Sequence, residues 1–192
     1  KKLVEIWQAS AGNAVKPPTR TGLNDFPLAT HVTPELDNPV REEVLFSREE
    51  VSRAVTVTFL HDEANCIERI INATESGNCV VWVRNSVDDA LAAYSTLSAR
   101  MSNPDDCILF HSRFTLDDRN TIEAKVLKVF GKHSEADTRS GKVLVATQVF
   151  QESLDADCDL MISDICPIDD LIQRTGRLHR HSRDMQGKFT PG

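Results

Sequence analysis

No run of about 18 apolar residues occurs in this 192-residue chain, and the opening KKLVEIWQAS is too polar for a signal peptide or a membrane span. A soluble, cytoplasmic protein is expected. The five cysteines, Cys66, Cys79, Cys107, Cys158 and Cys166, are odd in number, lack CxxC spacing and fall mostly in apolar runs. That excludes a secreted disulfide framework and predicts buried thiols in a reducing compartment. Cys158, Cys166, His179 and His181 do not read as zinc ligands, because a strand separates the cysteines and His-x-His is not a finger spacing, so no metal site is expected. There is no internal repeat and no low-complexity tract. No G-x-x-x-x-G-K-[ST] occurs; SAGNAVK at 10–16 lacks both the second Gly and the hydroxyl residue, so the chain has no phosphate-cradling loop of its own. The first residue is Lys rather than Met, and the chain is expected to be a piece of something longer.

What is present is enough for one core: 40% hydrophobic and 27% charged residues predict a single domain with an extension. A formal charge of −7 argues against general adhesion to nucleic acid. Yet residues 173–188 carry Arg174, Arg177, Arg180, Arg183 and Lys188 against the single acid Asp184, so a stripe of +4 leaves −11 on the remainder. An acidic body with a basic stripe predicts a localised phosphate site. Arg174, Arg177 and Arg180 recur every three residues, which on one helical turn region would gather guanidinium groups whose forked donors suit phosphate oxygens. A solvated basic helix face is the plainer reading of the same spacing.

Residues 1–9 read as the tail of a helix with Leu3, Ile6 and Trp7 on one face. Pro17, Pro18, Pro27, Pro34 and Pro39, with Gly12 and Gly22, then mark a linker holding at most a short strand at Phe26–Thr30. Residues 40–50 fit a strand or a flexible arm, so residues 1–50 are expected to be a linker and N-terminal extension, with one domain over 51–192. From there the pattern is regular. Val55, Val57 and Phe59 alternate as a strand; Asp62 caps a helix with Ile67, Ile70 and Ile71 on one face, ending near Gly77. Cys79–Val83 is a buried strand, and Ser86 with Asp89 opens a helix carrying Ala90, Leu91, Tyr94, Leu97 and Met101. A strand at Cys107–Phe110 leads to Thr115 with Asp118 and a helix to about Phe130. Strands at 142–146 and 159–163 and a helix from about Ile168 complete the alternation, which predicts an α/β fold with a mostly parallel sheet covered by helices on both faces.

Ligands of such sheets sit beyond the carboxyl ends of the strands. Asn85-Ser86, His111-Ser112-Arg113 and Thr147-Gln148 all follow strand ends. Each has two readings. Asn85 and Ser86 either cap a helix or offer an anion the free N–H groups there. Arg113 pairs with Asp117 or Asp118, or with a phosphate. Thr147 finishes a strand, and Asp155 is a turn acid, on bare composition.

The order of the pieces discriminates. Ala146-Thr147, Ser153-Leu154-Asp155, a second apolar strand and then Gln-Arg-x-Gly-Arg-x-x-Arg resemble motifs V and VI of superfamily 2 helicases. The fuller wording, VLVATQV…SLD…D…PIDDLIQRTGRLHRH, with FHSRFTLDDR at 110–119, resembles the CRISPR-associated helicase-nuclease of type I interference systems over about residues 80–181. Two departures stand out: Ser86 replaces the family's Thr after Asn85 but keeps the hydroxyl, and Gln151-Glu152 stands where the family often has Glu then Gln, so neither Gln151 nor Glu152 receives a role.

The resemblance implies the second of two RecA-like motor domains, a three-layer α/β unit that drives an ATP-dependent single-stranded DNA helicase. Arg177 and Arg180 would neutralise the transferring γ-phosphoryl, with Arg180 as arginine finger; an Arg180 pair with Asp184 on the same helix is the plain alternative. Gln173 would sense the nucleotide and Asp155 hold its ribose. Asn85, Ser86, Ser112, Arg113 and Thr147 would contact the DNA backbone. The acidic DExH-type motif is absent, as the phosphate loop is, so ATP and Mg²⁺ would be bound jointly with a preceding motor domain, and the chain alone would be inactive. A nuclease metal would lie only in a domain further upstream. Further implications are 3′ to 5′ movement, recruitment by a CRISPR RNA-guided surveillance complex, and susceptibility to inhibitor proteins. The alternatives are a motor domain of another superfamily 2 DNA or RNA helicase, or a noncatalytic protein-docking module; intact Gln173, Arg177 and Arg180 weigh against the latter.

Overall fold

The computed structural model of the chain describes residues 28–32, 40–46 and 54–183. Contacts divide the chain into two units, Lys1–Thr56 and Val57–Gly192. In the first, β1 (Leu28–Val32) and β2 (Val40–Val44) form an antiparallel pair with Leu28 opposite Val44 and Val32 opposite Val40. The short strand expected from Phe26 thus lies at Leu28–Val32, and of the two readings of 40–50 the strand holds for Val40–Val44. The expected helix at 1–9 lies outside the described residues.

The second unit holds a four-stranded, wholly parallel sheet of β3 (Val80–Val83), β4 (Cys107–Phe110), β5 (Val143–Ala146) and β6 (Leu160–Ser163), in the order β4-β5-β3-β6. Four-residue apolar runs form β3, β4 and β5 because both faces are covered and no polar alternation is required, while the outer strand β6 is less buried and ends in Ser163. One face packs Val80, Trp82, Val143, Val145 and Ile162 against Ile67 and Ile70 of α1 (Glu63–Glu75) and Ala90, Ala93 and Leu97 of α2 (Val87–Arg100). The other packs Val81, Val83, Phe110, Leu144 and Ala146 against Val126, Val129 and Phe130 of α3 (Leu116–Phe130) and Val149 and Phe150 of α5 (Val149–Ser153). Each buried Val, Leu, Ile or Phe among them contributes roughly 1.5–3 kcal/mol on burial, so the two apolar layers hold the sheet. This is the expected three-layer arrangement.

The capping residues read from sequence start the helices. Asp62 accepts from Asn65 N at 2.7 Å, Ser86 from Asp89 N at 3.1 Å and Thr115 from Asp118 N at 3.3 Å. Gly77, at φ 86°, turns the chain out of α1, a left-handed conformation that a Cβ would disfavour. Two expectations fail. Residues 54–61 form no strand: Val57 is 64% and Phe59 76% exposed, and among the described residues no strand pairs with them. Alternation supplies a pleated face, but a strand persists only with hydrogen-bonding partners along its edge. Nor do Arg174, Arg177 and Arg180 share a helix, because α6 (Ile168–Thr175) stops at Gly176. His179 adopts φ 47°, and Cys158 N donates to Arg177 O at 3.2 Å while His179 N donates to Cys158 O at 2.9 Å, drawing the segment alongside the start of β6. The one-turn helices α4 (Ala136–Arg139) and α5 were not read from sequence, since four or five residues show no period.

Candidate nucleotide and nucleic-acid site at the strand ends

Val83 lies opposite both Ala146 and Ser163, and Phe110 opposite Ala146, so the residues that follow all four strands share one edge of the sheet. Asn85 is fixed there from four directions. Its N donates to Asp164 Oδ2 at 2.9 Å and its Nδ2 to Ile165 O at 2.7 Å; its Oδ1 accepts from Arg174 Nη2 at 3.1 Å and its O from Gln148 Nε2 at 3.1 Å. Arg84, stacked 4.6 Å over the Trp82 ring, also binds Asp164 at 3.1 Å. Ser86 serves as the cap of α2, donating to Asp89 Oδ2 at 2.6 Å.

At the neighbouring strand end His111 is 6% exposed and stacks on Phe114 at 4.1 Å between ring centroids. Its Nδ1 accepts from Arg113 N at 3.2 Å, which requires an unprotonated Nδ1, and burial followed by the Arg113 charge lowers its pKa. Ser112 and Arg113 project outward, both exposed. Arg113 pairs with Asp88 of α2 at 2.8 Å, not with Asp117 or Asp118; Asp118 is engaged by Thr115. Thr147 is buried, its N donating to Phe110 O at 3.2 Å and its carbonyl starting α5 by accepting from Phe150 N. The five residues expected to meet a nucleic-acid strand therefore lie along one edge, with Asn85, Ser86, Ser112 and Arg113 exposed and Thr147 beneath them.

The three arginines have separate environments. Arg174 is completely buried, Arg177 is half-buried and Arg180 is exposed. Arg177 Nη2 donates to Gln151 O at 2.9 Å, and Arg180 Nε donates to Asp155 Oδ1 at 2.8 Å. Burial and then the Arg180 charge lower the Arg177 pKa, while Asp155 opposes the shift. Arg177, Arg180 and Asp155 thus act on one another electrostatically. An additional anion would relieve the repulsion between the two guanidinium groups, and their forked donors can each reach two of its oxygens. Gln173 is exposed on α6 and shares no hydrogen bond with Asp155, Arg177 or Arg180.

Sequence reasoning missed the buried side of the site. Arg174, placed with its neighbours on one cationic face, instead donates to Gln151 Oε1, Ser163 Oγ, Asp164 O and Asn85 Oδ1. Gln151 was given no role; an amide in an otherwise apolar run, VFQ, was the only signal. A second network at the amino ends of the strands joins Arg139 and Arg183 to Asp157 at 3.0 and 2.9 Å, and Arg139 to Asp159 at 2.9 Å. Cys79 lies against Arg139 Nη2, and burial pushes its thiol up to about 12, so it is an unreactive thiol. Among the described residues no three His, Cys, Asp or Glu side chains are grouped to hold a metal ion, and no helix is long and apolar enough to cross a membrane.

A family model described as CRISPR-associated nuclease/helicase Cas3, C-terminal, matches residues 76–183, more than half of the chain. The CRISPR-associated endonuclease/helicase Cas3 of Escherichia coli (strain K12) is 45% identical over 117 residues, which cover 61% of this chain and 13% of that protein. A crystal structure of T. fusca Cas3-ATP superposes with a TM-score of 0.69 at 28% identity, covering 91% of this chain and 22% of that one. A chain of a solved CRISPR RNA-guided surveillance complex, pre-nicking, gives a TM-score of 0.64 at 26% identity, covering 95% and 24%. The chain therefore spans only about an eighth to a quarter of the length of these relatives. With a parallel sheet covered by helices on both faces and a family model that matches more than half of its length, the chain belongs to the C-terminal domain family of the CRISPR-associated nuclease/helicase Cas3.

Proposed function

We propose that this chain is the second RecA-like motor domain of an ATP-dependent translocase on single-stranded DNA, working in the cytoplasm as part of a longer helicase-nuclease in CRISPR interference. The observation that carries this reading is the pairing of Arg180 with Asp155 at 2.8 Å beside Arg177, which Gln151 O holds at 2.9 Å, in a domain whose strand ends also expose Ser112 and Arg113. Arg177 and Arg180 face the nucleotide held by the preceding motor domain and neutralise charge that develops on its γ-phosphoryl group. Asp155 accepts from the ribose hydroxyls, and Gln173 contacts the nucleotide from α6. Mg²⁺ supplies further neutralisation of the phosphates when bound; the described residues of this chain contribute cations to that pocket and no carboxylate cluster for the ion. Asn85, Ser86, Ser112 and Arg113 hold the DNA backbone, and Thr147, buried beneath them, supports that edge. Closure and opening of the cleft between the motor domains shift this grip relative to the first domain's, giving 3′ to 5′ steps.

Recruitment by a CRISPR RNA-guided surveillance complex and delivery of the strand to an upstream metal-dependent nuclease complete the reading; its supports are the likeness to a chain of such a complex and the names of the relatives. An inhibitor protein that covered the arginine edge would stop the cycle. The test is a pair of turnover assays. The isolated chain should hydrolyse no ATP above background, because it lacks a phosphate loop, whereas the same chain following a motor domain that carries one should show DNA-stimulated hydrolysis. Turnover by a homogeneous preparation of the chain alone would overturn the two-domain reading.

A further inference from the structure

Gln151 is 5% exposed and its amide is fixed at both ends: Oε1 accepts from Arg174 Nε at 2.8 Å, and Nε2 donates to Asp170 Oδ1 at 2.7 Å. Its main-chain carbonyl accepts from Arg177 Nη2 at 2.9 Å. One residue thus holds α5 against α6 by its side chain and aims Arg177 by its backbone. Arg174, in turn, reaches across to Asn85 Oδ1 at 3.1 Å, and Gln148, at the start of α5, donates to the Asn85 carbonyl at 3.1 Å. A closed ring of contacts results, from Asn85 through Arg174, Gln151 and α5 back through Gln148 to Asn85.

The chemistry of Arg174 makes this ring unforgiving. Its guanidinium is fully buried, yet all its acceptors are neutral: an amide oxygen on Gln151, another on Asn85, the Ser163 hydroxyl and the Asp164 carbonyl. The Asp164 carboxylate is committed elsewhere, to Arg84 and to Asn85 N. A buried charge held only by directional hydrogen bonds tolerates the loss of an acceptor poorly, so a displacement of Asn85 is passed to Gln151 instead of being absorbed. Contacts among rigidly packed side chains of this kind are a physical route for coupling.

We propose that Gln151 is a positioning residue that couples the nucleic-acid edge at Asn85 to the orientation of Arg177. The inference rests on the functional reading above for what Asn85 and Arg177 touch, and adds to it the path between them. The test uses the longer protein that carries this domain, with an oligothymidylate strand as probe, and measures the ratio of turnover with DNA to turnover without it, together with strand affinity. Gln151→Ala should lower that ratio about tenfold, a size usual for coupling between two sites, with strand affinity within a few fold. Gln151→Glu keeps the acceptor for Arg174 but sets a carboxylate against Asp170, and should lower the ratio as well. Adding Asp170→Asn to it reverses the direction of that hydrogen bond and should restore the ratio. An unchanged ratio in Gln151→Ala, including an equal fall in both rates, would overturn the proposal. If Gln151→Ala fails to fold, the Gln151→Glu, Asp170→Asn pair decides: restoration relative to Gln151→Glu supports it, and no restoration overturns it. A parent protein whose turnover ignores DNA would contradict the functional reading too, and is told apart because no variant is needed to see it.

Discussion

Arg180 Nε donates to Asp155 Oδ1 at 2.8 Å, so the candidate arginine finger and the candidate ribose acid, 25 residues apart in sequence, meet directly. Both side chains are open to solvent, Arg180 44% and Asp155 58%. An exposed pair of this kind is worth about 0–1 kcal/mol, too little to prevent either residue from turning to a ligand. The partner considered from sequence, Asp184, lies outside the described residues.

Asp155 Oδ1 also lies 3.5 Å from Nε2 of the nearly buried His181. Asp155→Ala should therefore cost more stability in urea unfolding than Arg180→Ala, which removes only the exposed pair and should stay within about 1 kcal/mol of the parent. Equal losses in the two variants would show that the His181 contact contributes nothing to stability.

The loss at Asp157 should be larger. Its side chain is 2% exposed, and it accepts from Arg139 Nη1 at 3.0 Å, Arg183 Nη2 at 2.9 Å and His181 N at 3.2 Å. Asp157→Ala leaves two guanidinium groups without that carboxylate and should cost roughly 3–5 kcal/mol in the same assay.

His111 sets a pH dependence. Its folded pKa is lowered, by burial first and by Arg113 second, below the usual value of about 6.5. The unfolded chain therefore takes up the proton first, and the contribution of His111 is fully present above about pH 6.5 and is lost as pH falls through the folded pKa. His111→Gln should make unfolding less steeply pH-dependent below that point than in the parent. Equal slopes would remove His111 as the cause.

Much of this architecture was legible because local signals agreed with the global pattern. Asp62, Ser86 and Thr115 mark helix starts by a hydroxyl or carboxylate that answers an unpaired N–H, and the short apolar runs at Val80–Val83, Cys107–Phe110 and Val143–Ala146 mark buried strands. Val55–Phe59 misled because alternation reports a face without reporting a partner. The arginines misled for a different reason: spacing of three is compatible with a helix, but Gly176, the positive φ of His179 and the pairing of Leu178 with Cys158 end it, and those depend on contacts with a strand distant in sequence. The same distance hid the Gln151 and Asp157 networks, whose partners are brought together only by folding.

Arg113 is held by Asp88 in a pair that is 64% and 78% exposed, so a phosphate can replace the carboxylate at little cost. Arg113→Ala, in the longer protein that carries this domain, should lower the slope of log affinity against log salt for single-stranded DNA by roughly one unit. Combining it with Thr147→Ala should weaken strand binding and DNA-stimulated turnover further while nucleotide binding stays near normal. An unchanged slope would take Arg113 off the strand.

The most direct test is made at Arg180, in the same longer protein, by measuring DNA-stimulated turnover and the affinity for a nonhydrolysable ATP analogue in Arg180→Ala and Arg180→Lys. A finger acts on charge present mainly in the transition state, so turnover should fall by about 10³ to 10⁵ while analogue affinity changes far less. Lys should not restore the rate, since one ammonium cannot reproduce a fork that reaches two oxygens. Hydrolysis by both variants within a few fold of the parent would contradict the account and pass the role to Arg177.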